Sequence, residues 1–221
     1  MRDLTHRSAW IFDVDYTLYG PDSALFEQVV PRITQFVAGH LNLSIEKARE
    51  VQRHYYLTYG STMAGMARHH DVDPHDYSAF VHNIDYSVLR ADPALKAKIQ
   101  ALPGQAFIFT NATMTHARDV LAGLGLSLDD FDGAFDVEMA EWTPKPDPRP
   151  YHQVMETFAI DPAQAVFFED TAKNLKTAED LGWSTVWIRA ENDARQAGQS
   201  YQAALTAPCV NTALDQILAV V

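Results

Sequence analysis

Three short polar clusters in this chain carry residue types that could do chemistry, and each directly follows an apolar run. Asp13, Asp15 and Thr17 come after Ala9-Trp10-Ile11-Phe12; Thr110 and Asn111 come after Ala106 to Phe109; Glu169 and Asp170 come after Ala165 to Phe168. If the runs are strands of one parallel sheet, their polar ends share the crevice at its carboxyl edge, where such sheets bind ligands. Four carboxylates would then converge. Two like charges ~4 Å apart repel by about 4 kcal/mol at an effective dielectric near 20, so the cluster either protonates or binds a cation. Hard oxygen donors with few His or Cys nearby point to Mg²⁺. The tripeptide Asp-Val-Asp is weak evidence by itself, because it recurs at Asp71-Val72-Asp73, where Pro74 makes helix capping the simpler reading. The first copy is set apart by the apolar run before it and Thr17 after it.

The elements that would position these residues follow from periodicity. Phe26, Val29, Val30, Ile33, Val37 and Leu41 fall on one helical stripe within 23–41,. Ser44 is an N-cap for a helix over 45–59. Asp73-Pro74 and Asp92-Pro93 each pair a cap with an N1 proline, opening helices to about Val81 and through Leu95, Ile99 and Leu102. From about 20 to 100 the chain reads as helices without a strand. Beyond 106 strands and helices alternate: strands at 106–109, 134–137, 165–168 and 185–188, helices at 113–124, 148–159 and 172–181. That alternation predicts a parallel sheet covered on both faces, an α/β Rossmann-like core. The first strand belongs with the later ones. Residues 1–19 and 103–221 would therefore form the core, and 20–102 a helical insert. Residues 191–204 read as a polar loop with a loose helix, and the acidic series Asp129, Asp130, Asp132, Asp136, Glu138 and Glu141 as a solvated loop.

Composition narrows the partners. The chain has 221 residues and a formal charge of −12, from 17 Lys and Arg against 29 Asp and Glu. Sequence-independent binding to nucleic acid depends on clustered Lys and Arg, so a polymer partner is not expected, and neither is docking on an anionic membrane. Small anionic substrates stay open, since a metal ion inverts the local sign. The single cysteine, Cys209, cannot form an internal disulfide,. With no apolar signal region and no span of ~20 apolar residues, a cytoplasmic protein is expected.

Taken together, DVDYT at 13–17, FTN at 109–111, Lys145-Pro146 and FFEDTAKN at 167–174 resemble, in order, the four motifs of the haloacid dehalogenase-like hydrolase superfamily. The insert between the first two motifs resembles the helical C1-type cap of that superfamily. LYGPDS at 18–23, HYYLTYGSTMAGM at 54–66, DYSAFVHNIDY at 76–86, FTNATMTHARDVLAGLGL at 109–126 and WTPKPDPRPY at 142–151 bring it closer to the pyrimidine 5′-nucleotidases. Two positions depart from the pattern: Tyr16 stands where the family usually has Asn, and Glu169 where a second Asp is common. The resemblance implies a Mg²⁺-dependent phosphomonoester hydrolase acting on a nucleoside 5′-monophosphate. Asp13 would be the nucleophile and form an aspartyl-phosphate, and Asp15 the acid and base. Asp13, the Asp15 backbone carbonyl and Asp170 would hold the metal. Thr110 and the Asn111 backbone N–H would bind phosphate, and Lys145 would balance the transition-state charge. Thr17, Glu169 and Asn174 would support these groups. In the insert, Tyr59 and His82 are the candidates for contacting substrate. Tyr55, Tyr56 and Tyr59 could stack on a base or fill a core, and six of the nine histidines lie in the insert without a zinc signature,. The alternatives are a phosphatase for another small ester such as a sugar phosphate, a haloacid dehalogenase, and a non-catalytic nucleotide-binding module.

Overall fold

The computed structural model describes residues 4, 6–190, 196 and 198–221. Four apolar stretches form the central strands β1 (Ala9–Phe12), β2 (Gln105–Phe109), β4 (Ala165–Glu169) and β5 (Ser184–Ile188), with short edge strands β3 (Gly133–Phe135) and β6 (Leu205–Ala207). The six strands are all parallel in the order β3-β2-β1-β4-β5-β6. Strands buried on both faces need apolar side chains pointing both ways, which is why they read as unbroken apolar runs. Side chains divide by alternation. Trp10, Phe12, Ile108 and Phe168 face one layer, and Ile11, Phe107, Phe109 and Phe167 the other.

The insert folds as α1 (Phe26–Leu41), α2 (Ile45–Tyr59), α3 (Thr62–His70) and α4 (Pro74–Val81). Two of its starts are the expected ones: Ser44 Oγ accepts from Lys47 N, and Asp73 Oδ1 accepts from His75 N, whereas α3, capped by Ser61, was not among the expected helices. Val29, Val37, Ala48, Tyr55, Met66 and Tyr77 form its own apolar cluster, so Tyr55 is a core residue, whereas Tyr56 is exposed. Val30, expected on the buried stripe of α1, is 45% exposed because it sits one position round the helix from Val29. The helix α5 (Pro93–Gln100) follows, with Asp92 capping it at Leu95 N. It lies within the expected 20–102 insert, yet Leu95, Ile99 and Leu102 join the cluster of Trp10 and Phe12, beside α9 (Val210–Leu218). By packing, α5 sits with the sheet.

The remaining helices, α6 (Met114–Gly123), α7 (Pro148–Phe158) and α8 (Ala172–Asp180), cover the sheet. β6 and α9 lie beyond the expected elements; a three-residue strand is too short to show a period. Of the expected 191–204 loop, residues 191–195 and 197 lie outside the described residues. The acidic series is not a solvated loop throughout. Asp136 is buried, accepting from Met114 N (2.7 Å) and Met139 N (2.9 Å), and Asp132 accepts from Ala106 N. Their carboxylates take up backbone donors that the chain would otherwise bury unpaired. Among the described residues, no helix is long and apolar enough to cross a membrane.

Candidate active site

The strand register assembles the site. Phe12 on β1 lies opposite both Ile108 on β2 and Phe168 on β4, so the residues just past these positions meet at one edge. Asp13 N donates to Phe168 O at 3.0 Å, which carries the ladder one residue further and sets Asp13 beside Glu169 and Asp170. One carboxylate oxygen from each of Asp13, Glu169 and Asp170 lies within 4.8 Å of the others. Lys145 reaches this cluster from the segment between β3 and α7. Its Nζ donates to Asp13 Oδ1 (2.8 Å), Phe109 O (2.8 Å) and Glu169 Oε2 (3.1 Å), with Phe109 and Phe167 rings against it. Lys145 is only 1% exposed, so it is not a solvated lysine.

The supporting residues take up the remaining valences. Thr17 Oγ1 donates to Asp13 Oδ2 at 3.1 Å, and Asn174 Nδ2 to Glu169 Oε1 at 2.6 Å. Asn111 acts on Lys145 through its side chain, a role the sequence did not suggest: Oδ1 accepts from Lys145 N (2.7 Å) and Nδ2 donates to Lys145 O (3.1 Å). Thr110 Oγ1 accepts from Ala112 N, which leaves its own proton to donate,. Asp170 O accepts from Trp187 Nε1 and Gln196 Nε2. Tyr16 has a φ of 61°, a left-handed conformation that Asn tolerates better than Tyr,. Its buried ring packs on Phe26 at 5.0 Å, contact an Asn would not make.

Asp15 is placed differently from the other three acids. Its Oδ1 accepts from Tyr19 Oη (2.5 Å) and from His116 Nε2 (2.8 Å). Sequence reasoning missed both partners. His116 left one signal: it lies on the apolar stripe of α6 with Ala117, Val120 and Leu121. His82 stacks on His116 with ring centroids 4.1 Å apart, so this candidate does lie beside Asp15. Tyr59 is instead engaged within the insert, its hydroxyl 2.6 Å from His69 Nε2 and Arg68 over its ring. The next residue, Gly60, touches the site segment: a Cβ there would stand 3.1 Å from Lys145 O, and its φ is +81°.

The electrostatics separate the acids. Burial raises the Asp13 carboxyl above its usual range against the pull of Lys145, and burial plus the Asp13 charge raises Glu169 further. Burial disfavours the Lys145 ammonium, but Asp13 and Glu169 beside it outweigh that and lift its pKa. At Asp15 burial also acts upward, yet His116 and Tyr19 bring the carboxyl below its usual range. One ammonium thus faces three buried carboxylates. The hard oxygens of Asp13, Glu169 and Asp170, gathered within 4.8 Å of one another, are a donor set of the kind that suits a small divalent cation,.

A family model described as haloacid dehalogenase-like hydrolase matches residues 8–182. Phosphate metabolism protein 8 of Saccharomyces cerevisiae is 24% identical over 196 residues, 81% of this chain. The chain spans only 61% of the length of that curated relative. Among solved structures, a HAD phosphatase from Thermococcus onnurineus superposes with a TM-score of 0.64 at 21% identity, covering 96% of this chain and 97% of the other. An L-2-haloacid dehalogenase from Xanthobacter autotrophicus gives 0.60 at 17%, covering 96% and 98%. A HAD-hydrolase from Bacillus subtilis, solved with magnesium, gives 0.61 at 13%, covering 96% and 99%. At these identities the structural likeness speaks for the fold.

Proposed function

The chain belongs to the haloacid dehalogenase-like hydrolase family, and from that premise we propose that it is a Mg²⁺-dependent phosphomonoester hydrolase for nucleoside 5′-monophosphates, pyrimidine ones foremost. The observation that carries the phosphatase reading is the acidic cluster of Asp13, Glu169 and Asp170. Lys145 offsets only one of its charges. Displacing a halide from carbon needs an attacking carboxylate but no cation, so this cluster favours phosphate chemistry over the dehalogenation named for some structural neighbours. A purely binding module would need neither Asp13 nor Asp15.

In this reading Asp13 attacks phosphorus in line, forming an aspartyl-phosphate as the bond to the leaving oxygen breaks. Asp15 gives its proton to that oxygen and then takes one from the water that attacks the phosphorus. Cleavage of the aspartyl-phosphate releases inorganic phosphate and restores Asp13. Thr110 Oγ1 and the Asn111 N–H donate to phosphate oxygens, while the buried Lys145 neutralises charge beside Asp13,. Mg²⁺, when bound, supplies positive charge to both the carboxylates and the phosphate. Its ligands would be Asp13, Asp170 and the Asp15 carbonyl, with Glu169 beside them. Residues 1–19 and 103–221 supply the chemistry, and the insert covers it. His82, which lies beside Asp15, would approach the leaving group from that side. Relatedness to a yeast protein named for phosphate metabolism supports the reading without choosing the alcohol.

The test is phosphate release from a panel of nucleoside monophosphates and sugar phosphates, and halide release from 2-haloacids, after chelation and after Mg²⁺ is restored. Mg²⁺-dependent release, fastest from pyrimidine nucleotides, is expected, and Ca²⁺ should inhibit by favouring a larger shell. Full activity after chelation would defeat the metal assignment. Preference for a sugar phosphate would move the substrate to that class.

A further inference from the structure

We propose that His116 is the positioning residue for the Asp15 carboxylate, and that Tyr86 and His82, arriving from the insert side, hold His116 in that role. The proposal deepens the phosphatase reading and rests on it. His116 is 1% exposed and comes from α6, 101 residues away in sequence, yet its Nε2 is 2.8 Å from Asp15 Oδ1. The other ring nitrogen, Nδ1, is 2.9 Å from Tyr86 Oη, and that hydroxyl also lies 3.1 Å from His82 O. The Asp15 carboxylate only accepts, so Nε2 is the nitrogen whose proton points at it, while Nδ1 is held against the Tyr86 hydroxyl, whose own proton goes to His82 O,. The His82 ring, stacked at 4.1 Å, prevents the imidazole from swinging out of this plane.

The consequence concerns geometry at the leaving group. Tyr19 and His116 both donate to Oδ1 of Asp15. With that oxygen occupied, Oδ2 is the one that the carboxylate presents to the leaving alcohol. Rotation of the carboxylate would misplace it, and a proton donor must lie within hydrogen-bond reach of its target. Tyr86 lies in a 3₁₀ turn (Tyr86–Val88) after α4, and His82 caps the end of α4. The position of the insert is thereby tied to the aim of Asp15. Substrate contact is not required of His116, so it is not a catalytic residue itself.

The experiment compares kcat on a nucleoside monophosphate with kcat on an aryl phosphate, whose leaving group barely needs a proton. His116→Phe should lower kcat on the nucleotide about tenfold or more while changing the aryl ester by less than about threefold. KM should change little for either. His116→Gln, which keeps an N–H donor near the Nε2 position, should recover part of the loss, and Tyr86→Phe should show a weaker selective loss. Equal losses on both substrates, or none, in folded variants would overturn the proposal. Should His116→Phe fail to fold, as judged by circular dichroism, Tyr86→Phe decides by the same ratio. A long-range ¹H–¹⁵N spectrum judges the tautomer without turnover: a proton on Nε2 supports the assignment, and one on Nδ1 alone overturns it. A wild-type chain that hydrolyses no phosphate ester would defeat the phosphatase reading, a different result from a flat ratio.

Discussion

Asp13 and Asp15 are two residues apart in sequence, but the regions around them are opposites. Asp13 sits in a buried nest of acids with one ammonium, and burial leaves its carboxyl above the usual range. Asp15 meets only hydrogen-bond donors, from His116 and Tyr19, and its carboxyl ends below that range although burial acts the other way. The first region is short of positive charge and becomes complete with a cation. The second already has hydrogen-bond donors from the protein on its carboxylate. Spacing alone conveys none of this, because the chain leaves its strand at Phe12 and each residue enters different company.

The largest expected effect removes the charge of the first region. Asp13→Asn should abolish phosphate release with the fold intact, since volume is unchanged and only the attacking charge is lost. Turnover near wild type in a folded variant would break the nucleophile assignment. Asp15→Asn acts on the second region and should cost about 10²- to 10⁴-fold on a ribose ester but much less on an aryl phosphate. Identical losses on the two esters would remove the acid role.

Lys145→Met asks how much the nest depends on its ammonium. Breaking a buried ion pair by removing one partner costs on the order of 3–5 kcal/mol. The variant's Tm should fall accordingly, and Mg²⁺ should raise it more than it raises the wild-type Tm, because the cation then offsets an uncompensated charge. No difference in the Mg²⁺ response would mean the acids do not share a cation site.

The smallest effect lies beside Asp15. Burial, with the His116 charge adding to it, lowers the His82 pKa from 6.5 to about 3. The unfolded chain therefore takes up this proton at higher pH than the folded one. The resulting stability is full above pH 6.5 and falls as the pH drops through the window down to about 3,. The slope is at most about 1.4 kcal/mol per pH unit for one group. His82→Phe should lose less Tm than wild type on going from neutral to mildly acidic buffer. Parallel curves would show that the ring titrates as if exposed.

Much of the scaffold was legible because its signals are local. Proline after aspartate at 73–74 and 92–93, Ser44 as a cap, and apolar runs ending in acids each need only a few neighbouring residues to be read. Glu169 was harder to place. The resemblance implied a residue near the metal, and the fold sets its carboxylate close to Asp13 and Asp170 with its oxygens engaged by Lys145 and Asn174, partners that no local pattern announces. Asp132 and Asp136 looked like free loop acids, but β2 and α6 backbone donors engage both carboxylates, and Asp136 is buried while Asp132 stays exposed. Their neighbours along the chain carry no trace of those donors.

The sequence by itself determined which residues end the strands and so which could face a common edge, because alternation and capping are short-range properties of the backbone. Tertiary structure decided the rest. The order that sets β4 beside β1 brings Glu169 and Asp170 to Asp13 across more than 150 residues, and the docking of α6 delivers His116 to Asp15. Such contacts depend on which apolar faces bury against each other. That choice is made by the whole packed chain, and no single segment encodes it.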